Sequence, residues 1–262
     1  MPDLLTKTLW DGRRGLAGFT TGTALLGAMY AGFYPQVSDG AMGQTVQGMS
    51  PALRQALRME DLASAAGYLG SSVFGIIVPL IAVISGIATG TRAIAGDEEA
   101  GYLDLLLAHP VSRTRLLLHR FAALSAGAVL IAVVVLLAML AVRPGAQLDS
   151  ITVGQFTAQC LALALLIIVF GTVAITIGAA TGSRPTALAA TAGIAVLTYA
   201  ASTLAGQIGA DALRYASPFH YYIGGEPLRN GFQWVDLTIL TTTTAVLLTI
   251  AVAAFNRRDL TS

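Results

Sequence analysis

The sequence predicts an all-α integral membrane protein with six transmembrane helices, an amphipathic N-terminal interfacial helix and a short cytoplasmic helix between spans 2 and 3. Of its 262 residues, 55% are hydrophobic and only 11% are charged, whereas soluble domains carry about 25% charged residues. The apolar residues form continuous uncharged runs, without the alternation that marks the strands of membrane barrels.

Six uncharged runs are long enough to cross about 30 Å of hydrocarbon, which takes roughly 20 helical residues. Two of them, Leu62–Thr91 and Ser150–Ser183, exceed one span, and we expect part of each to be interfacial, tilted or buried in protein. We expect a single membrane domain over residues 1–262, with spans at about 15–33, 70–91, 121–142, 155–180, 186–208 and 237–256. Glycine pairs that permit close helix approach are Gly18 and Gly22, Gly86 and Gly90, and Gly178 and Gly182.

The distribution of basic residues predicts the orientation. An even number of spans places both termini on the same side of the membrane. If that side is the cytoplasm, ten of the 15 Lys and Arg residues lie inside and five lie outside. Because basic residues accumulate in cytoplasmic segments, we expect cytoplasmic termini and a cytoplasmic position for residues 96–120.

Two segments outside the spans have distinctive residue patterns. Before the first span, Lys7, Arg13 and Arg14 lie near an apolar helical face made of Leu4, Leu5, Thr8, Leu9 and Trp10. This pattern suits a helix in the plane of the cytoplasmic interface, with a frayed terminus as the alternative. Residues 211–236 are rich in Pro and Gly, which favours a re-entrant or capping element over a plain helix.

Several kinds of chemistry are missing from the sequence. Lys7 is the only lysine, and Thr6 stands where a phosphate-binding loop would need the glycine directly before its lysine. If nucleotide drives the protein, another chain must therefore bind it. Cys160 is the only cysteine, which excludes a disulfide within the chain and a cysteine-based metal site. The net charge of +1 offers no electrostatic footprint for nucleic acid.

The densest charge in the chain lies between spans 2 and 3, in residues 96–120, which we call the charged loop. Asp97 or Glu98 fits the first turn of a short helix, where the helix dipole favours carboxylates. Pro110 should end that helix, because the residue before a proline disfavours helical geometry, and Ser112 can cap the next helix. A helix, a turn and a second helix in this position can transmit motion between a soluble partner and the spans.

Residues 99–113 read E-A-G-Y-L-D-L-L-L-A-H-P-V-S-R, and this stretch resembles the signature of ABC-2 type transporter permeases. The six-span layout, the amphipathic N-terminus and the Ser-Pro-Phe sequence at residues 217–219 are also similar to that family. Where the family often has Gly-Thr, this chain has Gly101 and Tyr102.

The resemblance implies that the charged loop holds a coupling helix, which docks in a cleft of a separate ATP-binding subunit. Pro110 and Arg113 would shape the return of the chain into the third span. The residues facing the subunit would be Glu98, Glu99, Gly101, Tyr102, Leu103, Asp104 and Leu106. The alternative is a loop whose charges are merely solvated or paired at the lipid headgroups.

The resemblance also implies the composition of the complex. Two copies of the ATP-binding subunit would bind ATP and Mg²⁺, so this chain would carry no cofactor of its own. Six spans suit pairing with a second copy of the permease or with a paralogous permease. The complex would lie in the bilayer of the bacterial plasma membrane.

The expected spans contain no Asp, Glu, Lys, Arg or His, which argues against a proton-coupled transporter. In the family, the second and fifth spans usually line the path between subunits. The resemblance therefore implies that substrate contacts uncharged polar residues of the fifth span, namely Tyr199, Ser202, Thr203 and Gln207. The alternative role for them is hydrogen bonding between helices, worth about 0.6–2 kcal/mol per contact.

Three functions compete on these observations. The leading one is the permease subunit of an ATP-driven ABC exporter for an amphipathic or lipid-like substrate or drug. The alternative is an ABC-2-like subunit that signals to an extracytoplasmic partner, for example in copper-site maturation, although Met42, Met49 and Met59 are widely spaced for a copper site. An enzyme is disfavoured, because the sequence has no Gly-x-Ser-x-Gly elbow and its three histidines are dispersed. We therefore expect no catalytic and no metal-binding residue.

Overall fold

The computed structural model of the protein describes residues 4–38, 64–99, 112–204 and 210–258. Within these ranges the secondary structure is helical, without a β-strand. A 3₁₀ helix, Asp211–Ala216, follows the fifth of the long helices. The other helices, numbered in chain order, are α1 (Leu4–Ala31), α2 (Tyr34–Ser38), α3 (65–99, with both α and π turns), α4 (Arg113–Val142), α5 (Val153–Thr181), α6 (Arg184–Leu204), α7 (Pro218–Ile223), α8 (Pro227–Asn230) and α9 (Trp234–Arg257).

Five of the described helices are long and apolar enough to cross a membrane: Ala65–Gly96 within α3, and α4, α5, α6 and α9. They correspond to five of the six spans expected from the sequence. The remaining span, 15–33, falls in α1, whose 28 residues are long enough to cross but include charged, Thr and Gly residues that lower its hydropathy. A membrane crossing by α1 therefore stays a prediction.

The interfacial helix expected at the N-terminus is not a separate element. α1 runs without a break from Leu4 to Ala31, so the residues expected in the interface and those expected to cross the membrane share one helix. No proline interrupts this stretch, and each of its glycines weakens a helix by only about 1 kcal/mol. α1 packs along α4 and α3, which supports its continuous form.

The second span is irregular around a proline. Leu69–Ile77 and Arg92–Gly96 form π-helical turns within α3, and Pro79 follows the first of these segments. A proline inside a helix has no N–H for the carbonyl four residues earlier, and its ring crowds that carbonyl. The carbonyl concerned belongs to Gly75, within the π-helical segment. The wider turns accommodate the proline without ending the helix.

α5 lies at the centre of the domain, packed on α3, α4, α6 and α9. In the most apolar 18 residues of α5, 67% of the residues are buried, whereas the buried share is 17% in the corresponding stretch of α6 and 22% in that of α9. Gly86 and Gly90 bring α3 close to α5, because a Cβ on Gly90 would lie 2.2 Å from the carbonyl oxygen of Gly171. The close approach expected at this glycine pair is confirmed. A Cβ on Gly18 or Gly22 would meet no atom within 4 Å.

The segment between α6 and α9 forms a cap on α5, as its Pro and Gly residues predicted. The cap comprises the 3₁₀ helix, α7 and α8, and both α7 and α8 pack on α5. Gln155 Nε2, near the start of α5, donates to the carbonyl of Arg229 at 2.6 Å. Arg229 Nη2 in turn donates to Ser64 Oγ at 3.1 Å. The cap is thereby joined to the first turns of both α5 and α3.

Candidate functional site

The structure describes the two ends of the charged loop. Among the nine loop residues singled out from the sequence, Glu98, Glu99 and Arg113 fall in the described ranges. The other six lie outside the described residues: Gly101, Tyr102, Leu103, Asp104, Leu106 and Pro110. Asp97 and Glu98 do not begin a separate helix, because α3 stays helical through Glu99, and the rest of the expected short helix lies outside the described residues.

The first end of the loop is held by Arg258, just past the last span. The Arg258 guanidinium forms an ion pair with the Glu98 carboxylate, and the two side chains are 17% and 25% exposed. Arg258 Nη1 also donates to the carbonyls of Gly178 and Ala179, at 3.3 and 3.2 Å. These carbonyls lie in the last turn of α5, where the helix dipole favours a cation, and the Gly178 carbonyl also accepts from the N–H of Gly182 at 2.8 Å. Arg258 therefore joins α9, α5 and the start of the loop.

Gly182 makes room for this junction. It follows α5 in the left-handed conformation, with φ of +67°. A Cβ on Gly182 would lie 2.7 Å from Arg258 Nη1 and 2.8 Å from Glu98 Oε1. Both the backbone conformation and the close approach of the ion pair require glycine here.

Glu99 attaches the loop to a different helix. Its Oε1 accepts a hydrogen bond from the backbone N–H of Arg184 at 2.9 Å. Arg184 is the first residue of α6, and the N–H groups of a first helical turn have no partner within the helix. Adjacent acidic residues thus bind the end of one span and the start of the next.

The second end of the loop is held by the same terminal turn of α9. Ser112 caps α4, accepting from the backbone N–H of Arg115 at 3.3 Å, which confirms the cap predicted from the sequence. Arg113 Nη1 donates to the carbonyls of Arg258 and Phe255, at 2.7 and 3.2 Å. Asn256 Nδ2 also donates to the hydroxyl of Thr114 at 3.1 Å. We call the surface where Glu98, Glu99, Arg113, Arg184 and Arg258 meet the anchor face.

Arg258 is thus attached to both ends of the loop, through its side chain at Glu98 and through its carbonyl at Arg113. The described ends of the loop are thus attached to the terminal turns of α5, α6 and α9. Sequence reasoning assigned Arg258 no role beyond its charge, and Gly182 none beyond a glycine pair. The available signals were a basic pair directly after the last apolar run and a glycine near the end of the fourth run.

Residues 19–260 match the sequence profile of a family described as ABC-2 family transporter protein. The chain belongs to this family. It is a multi-pass membrane protein with a permease role in an ABC transporter, and the family pairs in general with ABC ATP-binding subunits. A comparison with curated proteins gave no match.

In this ABC-2 family member, Tyr199 of the expected substrate path has structural contacts. Its hydroxyl donates to the carbonyl of Gly75 at 3.3 Å, and Gly75 is the residue four positions before Pro79. Its ring meets Phe219 of the cap edge-to-face, with the ring centroids 5.2 Å apart. Tyr199 therefore joins α6 to both α3 and the cap, as the interhelical alternative anticipated.

The other path residues give less information. Thr203 Oγ1 donates to the carbonyl of Tyr199 at 2.6 Å within α6, and Ser202 is half-buried beside it. Gln207 lies outside the described residues, as do Met42, Met49 and Met59. Among the described residues, no group of three or more His, Cys, Asp or Glu side chains could hold a metal ion. A substrate role for Tyr199, Ser202 and Thr203 stays a prediction.

Proposed function

We propose that this chain is the transmembrane permease subunit of an ATP-driven exporter, in which the charged loop carries the motion of a separate ATP-binding subunit into the spans. The observation that supports this most directly is the attachment of both loop ends to one residue, Arg258. A loop that receives force must be tied to the elements that it moves.

The proposed mechanism starts outside this chain. Two copies of the partner subunit bind ATP and Mg²⁺ and close on one another, which displaces the loop residues between Glu98 and Arg113. Glu99 passes this displacement to the start of α6, and Glu98 passes it through Arg258 to the ends of α5 and α9. The spans of this permease and of a second copy, or a paralogue, then open a path between them.

The proposed substrate is amphipathic or lipid-like. Its path would run along the uncharged polar residues of α6, chiefly Ser202 and Thr203, because the Tyr199 hydroxyl is already bonded to α3. The proposed location is a bacterial plasma membrane with both chain termini in the cytoplasm, which places the anchor face there. Signalling to an extracytoplasmic partner without transport gains no specific support from the described residues.

The first test is recovery of the tagged chain from its own membranes in mild detergent, with identification of the proteins that accompany it. The expected companion is an ATPase with a phosphate-binding loop, in equal amount. The uncoupling variants Asp104→Arg and Leu106→Asp should lose the companion or its permease-dependent ATP hydrolysis. Asp149→Arg is the matched control, since Asp149 is 75% exposed and lies in another loop. Full retention of companion and hydrolysis in both loop variants would refute the proposal.

A further inference from the structure

A groove lies between α4 and α9 on the outer surface of the domain. It encloses about 360 Å³ and is lined by Leu118, Leu248, Thr249, Val252 and Ala253. Leu118 is 43% exposed along this groove, and its neighbours across the groove are almost entirely apolar. An elongated apolar ligand at membrane depth would fit such a lining.

The groove reaches down to the anchor face. Leu118 lies five residues into α4 and Ala253 lies four residues before the end of α9, so both are about 6–8 Å from those ends at 1.5 Å per residue. Below them the helices are joined by the Asn256–Thr114 hydrogen bond. The groove therefore ends about one helical turn from this side-chain contact.

Positive charge stands at the base of the groove. Arg115 and Arg257 are both exposed, one three residues before Leu118 and the other four residues after Ala253. Residues three or four apart share one face of a helix, so both arginines are placed on the groove side. α4 contains no acidic residue, and the only one in α9 is Asp236, at its opposite end. Asp259, the next acidic residue in the chain, lies outside the described residues.

We infer that this groove is a binding site for an anionic phospholipid of the leaflet at the anchor face. One acyl chain lies along Leu118, Val252 and Ala253, and the phosphate lies against Arg115 and Arg257. Apolar surface alone cannot select an occupant in a bilayer, because lipid tails are as apolar as leucine. Basic groups between transmembrane helices select anionic headgroups.

A second copy of the chain is the less suitable occupant. In a two-fold interface the same patch meets itself, which would bring Arg115 and Arg257 of one copy close to those of the other. The proposed lipid is a resident component and not cargo, so the inference does not depend on the proposed function.

The test uses the purified full-length chain in detergent, supplied with equal amounts of palmitoyl-oleoyl phosphatidylglycerol and phosphatidylcholine, with bound lipid counted by native mass spectrometry. The unmodified chain should retain phosphatidylglycerol over phosphatidylcholine by about tenfold. The double variant Arg115→Gln/Arg257→Gln should lose that preference, and Ala253→Phe, which fills the groove, should lose the retained lipid.

Two controls separate this site from general effects. Arg184→Gln removes an exposed charge at the anchor face away from the groove, and Val133→Phe enlarges a side chain of α4 that is 45% exposed elsewhere. Both should keep the lipid. Unchanged preference for phosphatidylglycerol in the double arginine variant would overturn the inference, and this variant does not alter core packing. Loss of chain association instead of lipid in Ala253→Phe would also overturn it, by assigning the groove to a second copy.

Discussion

Glu98 and Arg258 form an ion pair although 160 residues separate them in the chain. The pair links the end of the second span to Arg258, just past the last span, and Arg258 in turn binds the end of the fourth span. Because Arg113 donates to the carbonyl of the same Arg258, the loop between Glu98 and Arg113 is held at both ends by one residue. Substitutions at the ends of the loop therefore test its structural role, and substitutions between the ends test its proposed role in coupling.

Replacing Arg258 by Ala should destabilise the domain by about 1–3 kcal/mol, because it removes the donor from a partly buried carboxylate and from the Ala179 carbonyl. Unfolding of the purified chain in mixed micelles would measure the loss. Arg14→Ala, an exposed arginine of α1, is the matched control and should change stability little. A double-mutant cycle of Arg258→Gln with Glu98→Gln should give a non-zero coupling energy. Strict additivity would show that the pair contributes nothing.

Gly182→Ala should destabilise the domain by about 1–2 kcal/mol, since a left-handed backbone disfavours any Cβ and here the Cβ also meets the ion pair. Gly193→Ala provides the comparison, because a Cβ at Gly193 in the middle of α6 has no atom within 4 Å. That change should be neutral or stabilising, as alanine favours a helix over glycine. Equal effects at the two positions would mean that Gly182 is not conformationally required.

Tyr199→Phe should cost about 0.5–1.5 kcal/mol, because it removes the hydrogen bond to the Gly75 carbonyl and keeps the ring contact with Phe219. Thermal unfolding would detect this loss. Transport kinetics then distinguish the two roles of Tyr199. A structural role predicts an unchanged substrate KM, whereas a large rise in KM without loss of stability would identify a substrate contact.

Gly90→Ala should destabilise the packing of α3 on α5 by about 1–3 kcal/mol, because the new Cβ would overlap the carbonyl of Gly171 and force the helices apart. The same change at Gly22 of α1 should be tolerated, because its surroundings are open. Denaturant midpoints of the two variants would give the contrast. A tolerated alanine at Gly90 would contradict the close approach of the two helices.

The comparison of Gly90 with Gly22 shows which features can be predicted from the sequence and which cannot. Gly18 and Gly22 have the same spacing as Gly86 and Gly90, yet only the second pair faces a neighbouring backbone. The positions of five spans and the Ser112 cap could be predicted, because both depend on residues that are adjacent in the chain. The ion pair could not be predicted, since nothing near Glu98 in sequence points to Arg258.

The hydrogen bond between Tyr199 and Gly75 could not be predicted from the sequence for a related reason. Pro79 identifies the carbonyl that loses its helical partner, but only the packing of α6 on α3 brings a hydroxyl to it. In the same way, the continuous form of α1 depends on its packing along α4 and α3, whereas its composition alone favoured two separate pieces.

The position of Arg258 also orders the events of biosynthesis. At about 5–20 residues per second, a ribosome that has just translated Glu98 needs roughly 10–30 s to reach its partner. During that interval the second and fourth spans can enter the membrane, but neither end of the loop can yet bind Arg258. A nascent chain interrupted before the last span would therefore hold the loop only through the bond of Glu99 to the start of α6.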